Sequence, residues 1–249
     1  MKRVLLITGG SDGIGARTAY LAAQQGYFVC INYVQNKIAA EKIVVDIRNK
    51  GGKAIAFQAD VSDERQVEEL FKAVDEQAGI ITALVNNAGI IVHPQQKLSE
   101  MSGERLQRIF SVNVIGSFLC AREAIKRMST KNNGFGGVII NISSMASQHG
   151  SPFEYIDYAS TKGAIDTMTV GLSKEVAEEN IRVNAVRPGI IKTDIHRKAG
   201  DADRPERLKY LIPMKRVGEP DEVAKTILWL LSEEASYITG ALVNVSGGR

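Results

Sequence analysis

The first 26 residues constrain the fold more than any other stretch. Residues 4–8 form an apolar run of strand length, suited to a strand buried on both faces. Gly9-Gly10-Ser11-Asp12-Gly13-Ile14-Gly15 follows at once, and residues 16–25 then read as a helix that stops at Gly26. A glycine-rich turn between strand and helix lets backbone approach a phosphate closely. The helix N-terminus behind it offers N–H donors and a favourable dipole. The spacing Gly9-x3-Gly13-x-Gly15 differs from the G-x-G-x-x-G fingerprint. Taken alone it fits a tight turn as well as an anion cradle.

The same alternation continues. Strands are predicted over 27–33, 53–59, 83–86, 138–142, 181–186 and 241–245. Helices are predicted over 37–49, 64–78, 104–128, from Tyr158 to about 179, and over 219–231. Ser62-Asp63 offers an N-cap to the third helix, and Pro220 suits the first turn of the last. Residues 132–137 read as a loop and 145–156 as irregular. Residues 194–213, charged and punctuated by Gly and Pro, read as a mobile substrate lid. With no linker or repeat, 1–249 forms one α/β domain: a doubly wound Rossmann fold with a parallel seven-stranded sheet and helices on both faces. Ligands of such sheets bind beyond the strand C-terminal ends. Segments 9–15, 60–61, 86–89, 143–144 and 188–189 all fall there.

Composition narrows the function. A net charge of +3 over 249 residues, without a basic run carrying aromatics, argues against a nucleic-acid or anionic-membrane partner. The apolar N-terminal run is too short for a signal core or a span. Cys30 and Cys120 lie in apolar surroundings and read as reduced core residues of a cytoplasmic protein. His93, His149 and His196 have no metal-ligand spacing, so no metal site is expected.

Candidate chemistry centres on Tyr158 and Lys162. Residues at i and i+4 share a helix face. An ammonium held near a phenol in a partly dry cleft favours the phenolate, so the Tyr158 pKa is expected to fall. That would suit it to general acid–base work. Tyr33 and Lys37 repeat the spacing, so the pattern by itself is not selective. Asn86-Asn87-Ala88-Gly89 at a strand end can tie strands together and leave room for a ligand, or simply turn. Asn113, inside a predicted helix, is either a satisfied core amide or a functional group.

Assembled in order, Thr8-Gly9-x3-Gly13-x-Gly15, Asp60-Val61, Asn86-Asn87-Ala88-Gly89, Asn113, Ser144, Tyr158-x3-Lys162 and Pro188-Gly189-x3-Thr193 resemble the short-chain dehydrogenase/reductase family along the whole chain. Ile212-Pro213, Arg216-x-Gly218-x-Pro220 and Tyr237-Ile238-Thr239-Gly240 look most like its 3-oxoacyl-carrier-protein-reductase-like and glucose-dehydrogenase-like members. The resemblance implies a hydride transfer between a nicotinamide and a small carbonyl or alcohol substrate. Tyr158 would be the proton donor and acceptor, and Lys162 would lower its pKa and hold the nicotinamide ribose. Ser144 would bond the substrate oxygen. Asn113 would hold its helix open for a water feeding protons toward Lys162. Gly9, Ser11, Asp12, Gly13, Ile14 and Gly15 would cradle the dinucleotide. Asn32 and Tyr33 would stand at its 2′ position, Asp60 and Val61 at the adenine, and Asn87, Ala88 and Gly89 at a ribose. Pro188, Gly189, Ile191 and Thr193 would lie along the nicotinamide, with Ile191 and Thr193 on its carboxamide. Relatives are mostly homotetramers.

The chain departs from the family pattern at three places. Ser144 to Tyr158 is one residue longer than the usual spacing, with the extra length around 151–155. No acidic residue ends the second strand, where Asn32-Tyr33 stand, which leaves room for the 2′-phosphate of NADP. Asp12 stands where many NADP-using relatives carry Arg, with Lys37 as a compensating cation. NADP is the expected cofactor and NAD the alternative. Two rival readings are a dinucleotide-binding sensor without turnover and a serine hydrolase. In the second, Gly9-x-Ser11-x-Gly13 would be a nucleophile elbow with His149 or His196 as base.

Overall fold

A computed structural model describes residues 3–198 and 200–249. Seven strands form one sheet in the order β3-β2-β1-β4-β5-β6-β7, and every neighbouring pair is parallel. They are β1 (Val4–Ile7), β2 (Phe28–Tyr33), β3 (Lys53–Gln58), β4 (Ala83–Asn86), β5 (Gly137–Ile142), β6 (Ile181–Pro188) and β7 (Leu242–Val245). Side chains alternate across each strand. Leu5, Ile7, Val29, Ile31, Val85 and Ile140 feed one core with α1 (Gly13–Gln24), α2 (Lys37–Asn49) and α10 (Pro220–Leu231). Val4, Leu6, Cys30, Leu84, Ile139 and Val183 feed the other, with α3 (Glu64–Gln77), α5 (Gly116–Met128) and α7 (Ile156–Glu175). Two covered faces explain why the strands read as continuous apolar runs. Both cysteines are buried, and no disulfide joins them.

The sequence reading of α2 and β4 matches to the residue, and the other long elements differ by a few residues at their ends. Asp63 caps α3 by accepting from the Arg65 and Gln66 N–H groups, and Pro220 opens α10. The long helix expected over 104–128 is divided. α4 (Gly103–Phe110) passes into a π-helical turn over Ser111–Ile115, with Asn113 at its centre, and then into α5. Such turns commonly mark functional sites. Segment 145–156 contains a short helix, α6 (Ala146–His149), followed by a turn in which Ser151 and Phe153 take positive φ. Among its described residues, segment 194–213 carries α8 (Ile195–Lys198), α9 (Arg204–Leu208) and a 3₁₀ turn over Lys209–Leu211.

Between β1 and β4 the chain order reverses, so the loops after these strands diverge and open a crevice. The glycine-rich turn lines one side of it and Asn87–Gly89 the other.

Candidate active site

The crevice opens into a cavity of about 830 Å³, within the range of small-ligand sites. Its wall runs from the glycine-rich turn, past Asp60, Val61 and Ala88, to Ser144, Tyr158, Lys162 and Thr193. The turn is braced from behind. Asn87 Nδ2 donates to the Thr8 and Gly9 carbonyls at 2.9 Å each. The Asn87 and Ala88 N–H groups both donate to Thr8 Oγ1. Gly9 has φ +59, and a Cβ there would stand 2.9 Å from Ala88 Cα. A Cβ on Gly15 would meet Asn87 Nδ2 at 2.6 Å. No side chain caps the N-terminus of α1, which points its N–H groups at the cavity without an acidic residue in its first turn. A bare backbone cradle with uncapped N–H donors fits the phosphates of a dinucleotide.

Across the cavity, α7 projects Tyr158 and Lys162 from one face. Lys162 Nζ lies 5.5 Å from the Tyr158 ring centroid and donates to the Ile142 carbonyl at 2.7 Å. Tyr158 is hydrogen-bonded to the Ser144 side chain, which the end of β5 delivers. Ser143 points elsewhere: it is buried, and its hydroxyl donates to the Lys162 carbonyl. Burial dominates the titration of both α7 groups. It pushes the Tyr158 phenol up to about 12, against the opposing Ser144 hydrogen bond. It pushes the Lys162 ammonium down to about 8, against the opposing charge of Asp166. The expected fall of the Tyr158 pKa is therefore not found in the protein alone. Desolvation disfavours the phenolate more strongly than nearby groups favour it.

Comparison with known proteins identifies this arrangement. Residues 9–249 match the family described as enoyl-(acyl carrier protein) reductase. The chain is 53% identical over 246 residues to the uncharacterized oxidoreductase YgfF of Escherichia coli K12, covering 99% of each. Among solved structures it resembles a Serratia marcescens short-chain dehydrogenase/reductase double mutant, with TM-score 0.89 and 31% identity, covering 99% of this chain and 97% of that one. It also resembles a metagenomic blue fluorescent protein in complex with NADPH, with TM-score 0.90 and 32% identity at the same coverage. The chain belongs to the short-chain dehydrogenase/reductase family. It is thereby an oxidoreductase by kinship.

Most of the residues that carried the resemblance line this one cavity: Gly9, Ser11, Asp12, Gly13, Ile14, Asp60, Val61, Asn87, Ala88, Gly89, Ser144, Tyr158, Lys162, Pro188, Gly189, Ile191 and Thr193. Gly15 supports the turn from behind. Asn113 is fully buried and does not reach the wall. Its Oδ1 accepts from the Ile90 N–H at 2.8 Å, while Nδ2 donates to the Ile90 carbonyl and to Thr161 Oγ1. The amide mimics a strand partner, tying the Gly89–Ile90 loop to the π-turn and to α7.

Asn32 and Tyr33 need correction. Both are buried, with Asn32 holding the Gly9 N–H on Oδ1 and the Ala59 carbonyl on Nδ2. Residues beyond the strand end, Val34, Gln35 and Asn36, take the wall position instead. Period-2 counting located β2 but not its last inward-facing residue. Lys37 does not face the cavity. It is exposed and pairs along α2 with Glu41 at 3.6 Å. Tyr33 and Lys37 share no helix, since one ends β2 and the other opens α2.

Arg108, Arg204 and Arg249 also line the cavity. The extra length before Tyr158 puts Ser151, Pro152, Glu154 and Tyr155 on the wall. Ser11 and His149 share the cavity, but no hydrogen bond joins them among the described contacts, and the His196 side chain lies outside the described residues. The hydrolase alternative thus finds no support. Among the described residues no group of His, Cys, Asp or Glu could hold a metal ion, and no helix is long and apolar enough to cross a membrane.

Proposed function

We propose that this chain interconverts a carbonyl and a secondary alcohol using a nicotinamide dinucleotide, with Tyr158 as the acid and base. The observation that carries this is the convergence of Ser144, Tyr158 and Lys162 on the cavity that the glycine-rich turn also lines. The bound nicotinamide would supply or accept the hydride. The turn at Gly9–Gly15 and the uncapped end of α1 would hold the phosphates. Asp60, Val61, Ala88 and Gly89 would hold the adenosine side. Ile191 and Thr193 would orient the nicotinamide. Ser144 would donate to the substrate oxygen as negative charge gathers there.

Tyr158, protonated well past neutrality, is suited to give its proton to that oxygen during reduction. Lys162, charged below about 8, stabilises the phenolate left behind. The 194–213 segment acts as a lid, with Ile195 and Arg204 on the cavity wall. NADP is the favoured cofactor. No acidic side chain follows β2 on the wall, and Arg108 offers a cation beside Asp60 at 3.6 Å. A structural relative, the blue fluorescent protein in complex with NADPH, supports the same reading. Buried thiols without a disulfide suit a reducing, cytoplasmic setting.

Fluorescence titration with NADPH and with NADH tests the cofactor reading without any knowledge of substrate. Saturable binding, tighter for NADPH, is the expected result. Binding of neither by folded protein would end the oxidoreductase reading, and equal or tighter NADH binding would reverse the cofactor preference.

A further inference from the structure

The wall built by segment 144–155, α9 and the C-terminus holds two guanidiniums against one carboxylate side chain. Arg204 Nη2 donates to Glu154 Oε2 at 2.5 Å, and its guanidinium lies 5.4 Å from the Tyr155 ring centroid. Only 12% of the Arg204 side chain is exposed, and Nη1 is buried with no hydrogen-bond partner. Arg249 lies half-buried on the same cavity wall. Burial and the charge of Arg204 both work against its cation, while Glu154 only partly offsets them.

Neighbouring basic residues behave differently. Arg197 pairs with Asp194, Arg207 with Asp201 and Lys209 with Glu206, and none of these cations lines the cavity. They form a solvated charged surface. Arg204 and Arg249 turn inward. A guanidinium cannot shed its proton in a protein, so a buried one demands an anionic or strongly accepting partner. Glu154 satisfies one edge of one of them. The remaining donors match the planar, two-oxygen geometry of a carboxylate, which arginine binds bidentately.

We propose that Arg204 and Arg249 bind a carboxylate on the substrate, making the substrates oxo acids and the corresponding hydroxy acids rather than neutral carbonyl compounds. The carbonyl half of this assignment rests on the oxidoreductase reading above. The anion site does not.

The test compares 2-, 3-, 4- and 5-oxo acids with their methyl esters at saturating NADPH. At least one acid is expected to exceed its ester tenfold or more in kcat/KM. Arg204→Gln and Arg249→Gln should each lower that acid-to-ester ratio at least tenfold. Glu154→Gln, which frees the second edge of Arg204, should raise it. If Arg204→Gln does not fold, Arg204→Lys keeps the charge without the fork and should give an intermediate ratio. Ratios near unity for every pair in the wild type, or variants that slow acid and ester alike, would overturn the assignment.

A second readout needs no turnover. Calorimetric titration with malonate, succinate and glutarate, in protein already saturated with NADP⁺ so that cofactor phosphates cannot be the anion, should show binding that Arg204→Gln weakens tenfold. No heat from any of the three would sink the anion site. Heat in a protein that binds neither NADPH nor NADH, measured without cofactor, would keep the anion site while the oxidoreductase reading falls.

Discussion

Tyr158 works in surroundings that hold its proton on. Its phenol is buried, its partner Ser144 lowers the cost of the phenolate only partly, and Lys162 reaches past it to the Ile142 carbonyl. The proton donor we propose for reduction is therefore loaded across the physiological range, and of the two α7 groups it is Lys162 that titrates nearer neutrality. Below about 8 Lys162 carries its charge, and above that it loses it. We expect kcat/KM for carbonyl reduction to hold through about pH 7 and to fall as pH passes about 8. A profile that instead rises through pH 8 would contradict this. Tyr158→Phe should lower kcat by about 10²–10⁴ while NADPH still binds in a fluorescence titration. Loss of binding and turnover together would make Tyr158 a structural residue. The Tyr158–Lys162 pair was legible in the sequence because a helix repeat places i and i+4 together. The direction of the phenol's shift was not, since burial is contributed by residues far apart in the chain.

At the scale of single elements, three local devices hold the site. The first is the turn after β1, where Gly9 adopts a conformation that disfavours a side chain and packs against Ala88. Gly9→Ala should cost about 1–2 kcal/mol from the left-handed backbone alone and weaken NADPH binding, read by thermal melting and titration. The second is the π-turn at Ser111–Ile115, which aims Asn113 at Ile90. The sequence marked Asn113 as unusual inside a helix, but a change of helical pitch leaves no periodic signature over five residues.

The third device is the buried Arg105–Asp157 pair at 2.7 Å, linking α4 to the residue before Tyr158. Arg105 also donates to the Pro94 carbonyl and to Gln96. Arg105→Met strands a buried carboxylate and should destabilise by about 3–5 kcal/mol. Adding Asp157→Leu should recover much of that loss in denaturant melts. An Arg105→Met protein as stable as the wild type would show that the pair carries no such role.

For the whole molecule, the parallel order with its reversal between β1 and β4 decides where a ligand can sit, and both covered faces leave only the strand ends open. Residues Phe110, Ile115 and Phe118 nonetheless stay exposed on the outer side of the divided helix, with Ile115 50% and Phe118 49% exposed. This apolar face supports self-association, and we expect a homotetramer of the 27.1 kDa chain by light scattering. Phe118→Glu should lower the mass. A monomer mass across a concentration series would remove the oligomer.

The sequence by itself determined the alternation of strands and helices, the class of sheet, the glycine-rich turn and the Tyr158–Lys162 pair. Each of these depends on short-range spacing: period 2 along a strand, 3.6 along a helix, and glycine where backbone must turn tightly. Only the tertiary structure decided that Asn32 faces inward as a strut while Val34–Asn36 face the cavity. It likewise decided that Arg204 and Arg249 share one cavity wall although the chain separates them by dozens of residues. Those outcomes depend on which side chains lose water and which neighbours then satisfy them, a property of packing between distant segments.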